Sequence, residues 1–299
     1  MTDPAQAIAD ALGVGVINMA PLTGGCVGEV YRVELADGRS TVAKVDNGRE
    51  PKLDLEGYML VYLAKNSRLP VPAVYHSAPR LLIMELLPGA SRFSNAAEEH
   101  AADLLAELHG VNPTRVVSAQ TENLMLAANC FGFDRDTLIG GLHQPNPWSE
   151  RWVPFFRDQR LLAMGKQAMG HGRFGTDTYG RLERFAEKLD VLLDEPAAPA
   201  LLHGDVWSAN VLADATRITG FIDPAIYFGH PEIELAFITL FSTFGDAFFG
   251  RYREQRSIAP DFFEVRRDIY NLYPLLVHVR LFGGGYLNSF DQILRRHGC

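Results

Sequence analysis

In the stretch LLHGDVWSANVL, residues 201–212, a His, an Asp and an Asn stand between two apolar runs. Asn210 follows Asp205 by five residues, and the run ITGFIDPA adds a second carboxylate, Asp223, thirteen residues further on. Two hard oxygen donors near the ends of neighbouring short strands suit Mg2+, which keeps several waters and bridges phosphate oxygens. That leaves the Asp205 carboxylate to accept the proton of an attacking hydroxyl. The chemistry such a set supports is phosphoryl transfer, in which an Asp, an Asn five residues on and a later metal-binding Asp recur together.

Phosphoryl transfer needs a nucleotide clamp, and candidate parts lie upstream in the expected order. Gly24, Gly25, Cys26 and Gly28 cluster just before a strand, where small residues let backbone N–H groups approach phosphate. Lys44, in the strand TVAKV, is placed to hold phosphate oxygens, and Glu56 on the following helix can pair with it. Met84, Glu85, Leu86 and Leu87 close the next strand, where a hinge would offer backbone groups to adenine. Each piece alone has an ordinary explanation. A glycine-rich turn is usually only a turn, and the G-x-G-x-x-G spacing is not met. A strand lysine is usually solvated, Asp-Pro commonly starts a turn, and Asn commonly caps a helix. What distinguishes the set is its order and the strand or helix context of each member.

The elements that must position these groups divide the chain in two. Residues 26–46 alternate in polarity about Ala36-Asp37-Gly38 and predict a β-hairpin. Leu55, Met59, Leu60 and Leu63 then recur at helical spacing before Pro70, and RLLIMELLPG predicts a strand ending at Pro88-Gly89. From Ser94 onward AAEEHAADLLAELHGV, RLERFAEKLDVLL, PEIELAFITLF and DFFEVRRDIYNLYPLLVHV all predict helices. Residues 111–160, rich in Asn, Gly, Pro and aromatics, are expected to form ordered surface loops. The expected class is therefore α+β and bilobal: an antiparallel-sheet lobe with one helix over residues 1–88, and a larger, mainly helical lobe over 89–299.

Composition agrees with a globular chain of 299 residues, 47% hydrophobic and 21% charged, with a net charge of −8. That balance disfavours broad nucleic-acid or anionic-membrane binding, so a polyanionic ligand needs a specific cradle. The N-terminus lacks a basic segment ahead of an apolar one, and the apolar window YPLLVHVRLFGGGYL is broken by His278, Arg280 and three glycines. A cytoplasmic protein with no membrane span is expected. Cys26, Cys130 and Cys299 are odd in number and far apart, which suggests free thiols. Within the glycine turn and near Lys44, Cys26 is also a candidate for oxidation.

On these motifs the chain resembles the fructosamine kinase (ketosamine 3-kinase) family, a branch of the aminoglycoside-phosphotransferase-like, protein-kinase-like fold. LLHGDVWSAN is similar to the family's H-G-D-L-W-S-G-N, and DPAIYFGHPEIELA to its D-P-A-x-Y-x-G-H-x-E-x-[DE]-L-A. The run from Phe131 through Leu161 resembles the insert with Q-x-N-x-W and W-x-x-F-F, and LFGGGY the C-terminal F-G-x-x-Y. The resemblance implies ATP and Mg2+ as cofactors, Asp205 as catalytic base, Asn210 and Asp223 as metal ligands, and a nucleotide clamp of Lys44 and Glu56. It further implies a sugar site drawn from His203, Trp207, Asn146, Trp148, Trp152, Tyr227 and His230. The acceptor would be a small sugar–amine adduct or a glycated protein lysine, and the enzyme a monomer or weak dimer with no nucleic-acid or membrane partner. Val206, Ala209, Pro231 and Glu234 depart from the pattern and bear on substrate preference. A glycine in HGD, where regulated protein kinases carry arginine, implies no control by a phosphorylated activation loop. An aminoglycoside- or choline-type phosphotransferase keeps the same chemistry with another acceptor, and a nucleotide-binding pseudokinase would lack turnover. A Rossmann dehydrogenase is disfavoured for want of the full glycine fingerprint.

Overall fold

The computed structural model describes residues 3–22, 28–113 and 129–299. Five antiparallel strands, β1 (Val16–Pro21), β2 (Glu29–Leu35), β3 (Ser40–Val45), β4 (Val74–Ala78) and β5 (Leu81–Glu85), form one sheet in the order β1-β2-β3-β5-β4. Successive side chains of a strand face opposite ways, and each face has its own helix. Val33, Leu35, Ala43, Val45, Leu81 and Ile83 pack on Ile8 of α1 (Pro4–Leu12). Val42, Leu82 and Met84 pack on Leu53 and Leu60 of α2 (Leu53–Asn66). Lys44 has the parity of Val42, so the alternation that builds the sheet also aims it at α2. Helix α2 lies close over β4: a Cβ on Gly57 would sit 2.3 Å from the Ser77 hydroxyl oxygen, so no larger residue fits without moving the helix.

The expected hairpin is β2–β3, paired from Glu29 opposite Val45 to Glu34 opposite Ser40. After β5 the chain becomes mainly helical, beginning with α3 (Asn95–Leu108), whose Ser94 side chain accepts from Ala97 N at 3.2 Å. Hairpin β6 (Thr137–Ile139) and β7 (Leu142–Gln144) precedes α4 (Trp152–Phe155), a π-helical turn (Phe156–Leu162) and α5 (Ala163–Gly170). Helices α6 (Thr176–Ala186) and α7 (Leu189–Leu192) lead to β8 (Ala200–Leu202), β9 (Val211–Ala213), β10 (Ile218–Phe221) and β11 (Tyr227–Gly229). Helices α8 (Pro231–Leu240), α9 (Asp246–Gln255), α10 (Arg267–Phe282) and α11 (Gly285–Arg296) complete the chain. The architecture is α+β with a sheet lobe and a mainly helical lobe, as expected. Among the described residues no helix is long and apolar enough to cross a membrane.

Three expectations need correction. The sheet lobe carries two helices, α1 and α2, where one was expected. Residues 111–160 are not all loop: Gly140 and Gly141, at φ +53° and +78°, turn the β6–β7 hairpin, and a helix begins at Trp152. Strands of three residues carry too little alternation to read, and Pro154 disguises the helix although a first-turn proline sacrifices no hydrogen bond. The helix expected from Asp261 onward opens with a π-helical turn, Phe262–Arg266, before α10.

Helix α8 matters most for the site and is capped by an unusual residue. Pro231 sits at its first position, and His230 accepts from Glu232 N through Nδ1 at 3.1 Å, which requires a neutral ring. Burial, with Arg266 and His109 adding repulsion, holds the His230 pKa down at about 3, against an ordinary 6.5. Between those values the unfolded chain takes up a proton that the folded one resists, so this contribution is complete above pH 6.5 and is lost as pH falls. His230→Asn, which can still cap, is expected to make stability fall less steeply between pH 6.5 and 4, by up to about 1.4 kcal/mol per pH unit. Urea unfolding at a series of pH values checks this; an unchanged slope would remove His230 from the acid response.

Candidate active site

Strand parity brings Lys44 to α2, and the turn after β10 brings Asp223 to Lys44. The ammonium lies 2.6 Å from Glu56 Oε1 and 2.5 Å from Asp223 Oδ1, so one buried cation ties the sheet, α2 and the helical lobe together. Burial opposes the Lys44 charge, but Asp223 and Glu56 outweigh it and raise the pKa above that of a free lysine. Glu56 belongs to the buried stripe of α2 with Leu53, Gly57 and Leu60. On the exposed side of α2, Tyr58 donates to Asp134 at 2.7 Å, and the Arg135 guanidinium stands 3.6 Å from the Tyr58 ring centroid.

Asp205 and Asn210 flank a short 3-10 turn, Ser208–Asn210, between β8 and β9. Asn210 Nδ2 donates to Asp205 Oδ2 at 2.8 Å and to the Asp205 carbonyl at 3.0 Å, which leaves its own carbonyl oxygen to face a cation. The loops of Asp205 and Asp223 are joined directly. Ile222 N donates to Asn210 O at 2.9 Å, and Ala225 N to His203 O at 2.8 Å. Burial, reinforced by the Asp223 charge and opposed by the Asn210 hydrogen bond, pushes Asp205 up to about 8. Glu56 and Asp223 flank one ammonium, and the Asp223 charge also bears on Asp205, a surplus of negative charge that a divalent cation would relieve. Among the described residues no three His, Cys, Asp or Glu gather as a metal cage. Mg2+ does not need one, because one or two protein oxygens complemented by phosphate and water suffice, and the Asn210–Asp223 donor pair fits that ion.

The hinge residues also lie against the second loop. Leu87 packs on Gly220 of β10, where a Cβ would meet Leu87 Cδ1 at 2.1 Å, and Thr219 Oγ1 donates to Pro88 O at 2.5 Å. Glu85 N donates to Ala73 O at 2.8 Å, and Met84 is buried in the packing of the sheet on α2. Gly28 starts beside the Val45 carbonyl. Gly24, Gly25 and Cys26 fall outside the described residues.

The residues expected at a sugar site separate into two groups. Trp207 is partly exposed, its ring 5.6 Å from Phe241, and Trp148 is partly exposed and stacked on Phe228. By contrast Trp152 is a core residue, correcting its placement in a cleft: it is fully buried against Phe131, Phe155, Phe156 and Tyr270, with Nε1 donating to the Tyr270 hydroxyl at 3.1 Å. Tyr227, Asn146 and His203 are buried as well, and His230 acts as the cap described above. The His203 ring accepts from Asp205 N at 3.4 Å, and burial lowers its pKa.

Several residues at the site were not singled out from the sequence. Glu234 accepts from Gly204 N at 2.6 Å and bonds His109 Nε2 at 2.9 Å, while His109 Nδ1 meets the Tyr252 hydroxyl at 2.7 Å. Glu234 stood out only as a departure from Asp, and nothing in its spacing pointed to a backbone N–H thirty residues earlier. Thr137, Arg160 and Tyr273 also went unread, for want of any local motif.

A five-stranded sheet bearing a Lys–Glu pair, above a helical lobe bearing an Asp–Asn loop and a second Asp, defines a phosphotransferase of the protein-kinase-like kind. A thermostable mutant of an aminoglycoside phosphotransferase shares this fold, with TM-score 0.63 at 18% identity over 98% of this chain and 99% of that one. The fructosamine kinase family model matches residues 1–297, and the chain belongs to that family. Ketosamine-3-kinase from Mus musculus is 31% identical over 297 residues, covering 91% of this chain and 92% of the mouse protein. A crystal structure of a Thermobifida fusca protein bearing the fructosamine-3-kinase name superposes with TM-score 0.81 at 30% identity, covering 99% and 98% of the two chains.

Gly204 explains why this loop reads HGD. Its φ is +85°, and a Cβ there would lie 2.1 Å from the Ala225 carbonyl oxygen, so an arginine could not occupy the position without separating the two loops. Gly204→Ala is expected to cost about 2–4 kcal/mol through left-handed strain and overpacking, and to lower activity further than the loss of folded protein explains. Denaturant titration beside turnover per folded molecule checks this; a fully stable, fully active variant would contradict the tight loop contact.

Proposed function

We propose that the protein is an ATP-dependent ketosamine kinase that phosphorylates a sugar hydroxyl of fructosamine- or ribulosamine-type adducts. The observation that carries this reading is the Lys44 bridge to Glu56 and Asp223 beside the Asp205–Asn210 pair, within a chain of the fructosamine kinase family. Residues 1–88 would hold the nucleotide through Lys44, Glu56 and the 84–87 hinge. Residues 89–299 would supply the catalytic loop, the metal ligands and the acceptor site. A cytoplasmic setting fits the net charge of −8 and the free thiols Cys130 and Cys299.

Asp205 accepts the hydrogen bond of the acceptor hydroxyl and aims its oxygen at the γ-phosphorus. As that O–P bond forms and the bond to ADP breaks, the hydroxyl proton passes to Asp205. Lys44, anchored by Glu56, neutralises the nucleotide phosphates. Asn210 and Asp223 would hold Mg2+, which supplies charge neutralisation on the phosphate oxygens. With a cation held there, Asp223 would no longer help to raise the Asp205 pKa, and Asp205 would be freer to stand as a carboxylate. Trp207 and Trp148, with partly exposed rings, suit the C–H faces of a sugar.

Asp205→Asn is expected to lower kcat by about 10²–10⁴-fold while nucleotide affinity stays within about threefold. A coupled ADP-release assay with Mg2+ and a ketosamine measures the first, and fluorescent-nucleotide titration the second. Turnover equal to the parent chain would exclude Asp205 as base. For acceptor class, ribulosamine, fructosamine and erythrulosamine derivatives are expected to give kcat/KM above that of aminoglycosides. A preference for the antibiotic overturns the acceptor assignment and leaves the chemistry.

A further inference from the structure

The insert between α3 and α5 contains a buried polar network that the reaction does not directly use. Thr137 Oγ1 is its hub: it accepts from Gln144 Nε2 at 2.9 Å and from Asn146 Nδ2 at 2.8 Å, and donates to Ile226 O at 3.2 Å. One hydroxyl thereby uses its donor and both lone pairs. Gln144 Nε2 donates also to Ala225 O at 3.0 Å, and the Tyr273 hydroxyl donates to Gln144 Oε1 at 2.6 Å. Arg160 donates to Asn146 Oδ1 at 2.6 Å and Pro145 O at 2.7 Å, with its guanidinium 3.8 Å from the Tyr227 ring centroid. Thr137, Gln144, Asn146, Arg160 and Tyr227 are each at most 1% exposed.

Outside the insert and α10, the hydrogen bonds and ring contact of this network fall on Ala225, Ile226 and Tyr227; within the insert it also meets the Asp136 carboxylate and the Phe155 ring. Residues 225–227 begin two positions after Asp223, whose φ of +54° is in the left-handed region. A non-glycine residue stays there only when its surroundings over-determine it. Upstream the loop is tied by Ile222 N to Asn210 O; downstream its carbonyls and the Tyr227 ring are held by the insert. Among the described residues no carboxylate pairs with Arg160. A buried cation without an acid is a poor way to gain stability, and Arg160 Nε has no hydrogen-bond partner among the described residues, whereas the bonds the network does make fix one arrangement of the atoms it grips.

We propose that Thr137, Gln144, Asn146 and Arg160 are positioning residues that clamp the 225–227 segment and so set the Asp223 carboxylate for a divalent cation. This rests on the kinase reading above and reassigns the Q-x-N-x-W insert: Gln144 and Asn146 act on the metal loop from beneath, and acceptor contact is left to exposed residues such as Trp148. The clamp reaches the catalytic loop as well, because the Ala225 carbonyl packs on Gly204.

The decisive pair is Thr137→Val, which keeps shape and removes the hydroxyl, and Thr137→Ser, which restores it. Mn2+ serves as probe, titrated by electron paramagnetic resonance against full-length protein with ADP and no acceptor. Thr137→Val is expected to weaken Mn2+ binding by about tenfold, the lower end for outer-shell partners of a metal site, and Thr137→Ser by less than about twofold. At saturating Mg2+ the acceptor KM of Thr137→Val should stay within about twofold of the parent value. Should Thr137→Val not fold, Tyr273→Phe removes only the hydroxyl on Gln144 and is expected to weaken Mn2+ by about threefold. Unchanged Mn2+ affinity in the variants that fold, or a rise in acceptor KM without a metal effect, overturns the proposal. Since the titration contains no acceptor, failure of the ketosamine assay alone would fall on the function and not on the clamp.

Discussion

One ammonium group organises this molecule. Lys44 stands between a carboxylate from its own lobe and a carboxylate from the other, almost out of contact with water. An unpaired buried charge costs several kcal/mol, roughly, so removing either acid would leave a penalty and not merely a missing contact. The requirement propagates outward. Lys44 must share the parity of Val42 to reach α2, Glu56 must lie on the buried stripe of that helix, and β10 must end where Asp223 can return to the sheet. Sheet register, helix phase and loop length are all constrained by where one nitrogen has to be.

The balance of charge around that nitrogen describes the ligand-free protein. With Asp205 close by, the acids outnumber the single base, and the low polarity of the interior resolves the excess by making Asp205 hold its proton more tightly. A nucleotide–metal complex brings cation and anion together, which suits a site with surplus acid on one side and an ammonium on the other. Asp223 and Asp205 are therefore electrically coupled, not independent parts placed side by side.

Much of this was legible in the residues. Lys44, Glu56, Asp205, Asn210 and Asp223 were identifiable because their chemistry is tied to short local patterns: a lysine in a β-branched strand, a carboxylate one turn into a helix, an Asp and an Asn five apart. The β2–β3 hairpin and the long helices were legible for the same reason, since alternation and helical spacing are local signals. Trp152 was misjudged because an aromatic beside a motif looks the same in sequence whether its ring faces a cleft or Phe156. His109, Thr137 and Arg160 were invisible, and Glu234 stood out only as a departure from Asp, because their partners lie far along the chain, and no spacing rule links a threonine at 137 to a carbonyl at 226. Polar side chains in the interior act through non-local geometry, which is what a linear pattern lacks.

The π-helical turn at Phe156–Leu162 has a consequence of its own. Its wide winding is what lets Phe155, Phe156, Arg160 and Leu161 all point inward from one short segment. A residue added to or taken from the α winding on either side of the turn would swing everything beyond by about 100° around the axis. A site more than sixty positions away in sequence is thus sensitive to the length of this one coil, so insertions and deletions here should be far less tolerated than exchanges of side chain.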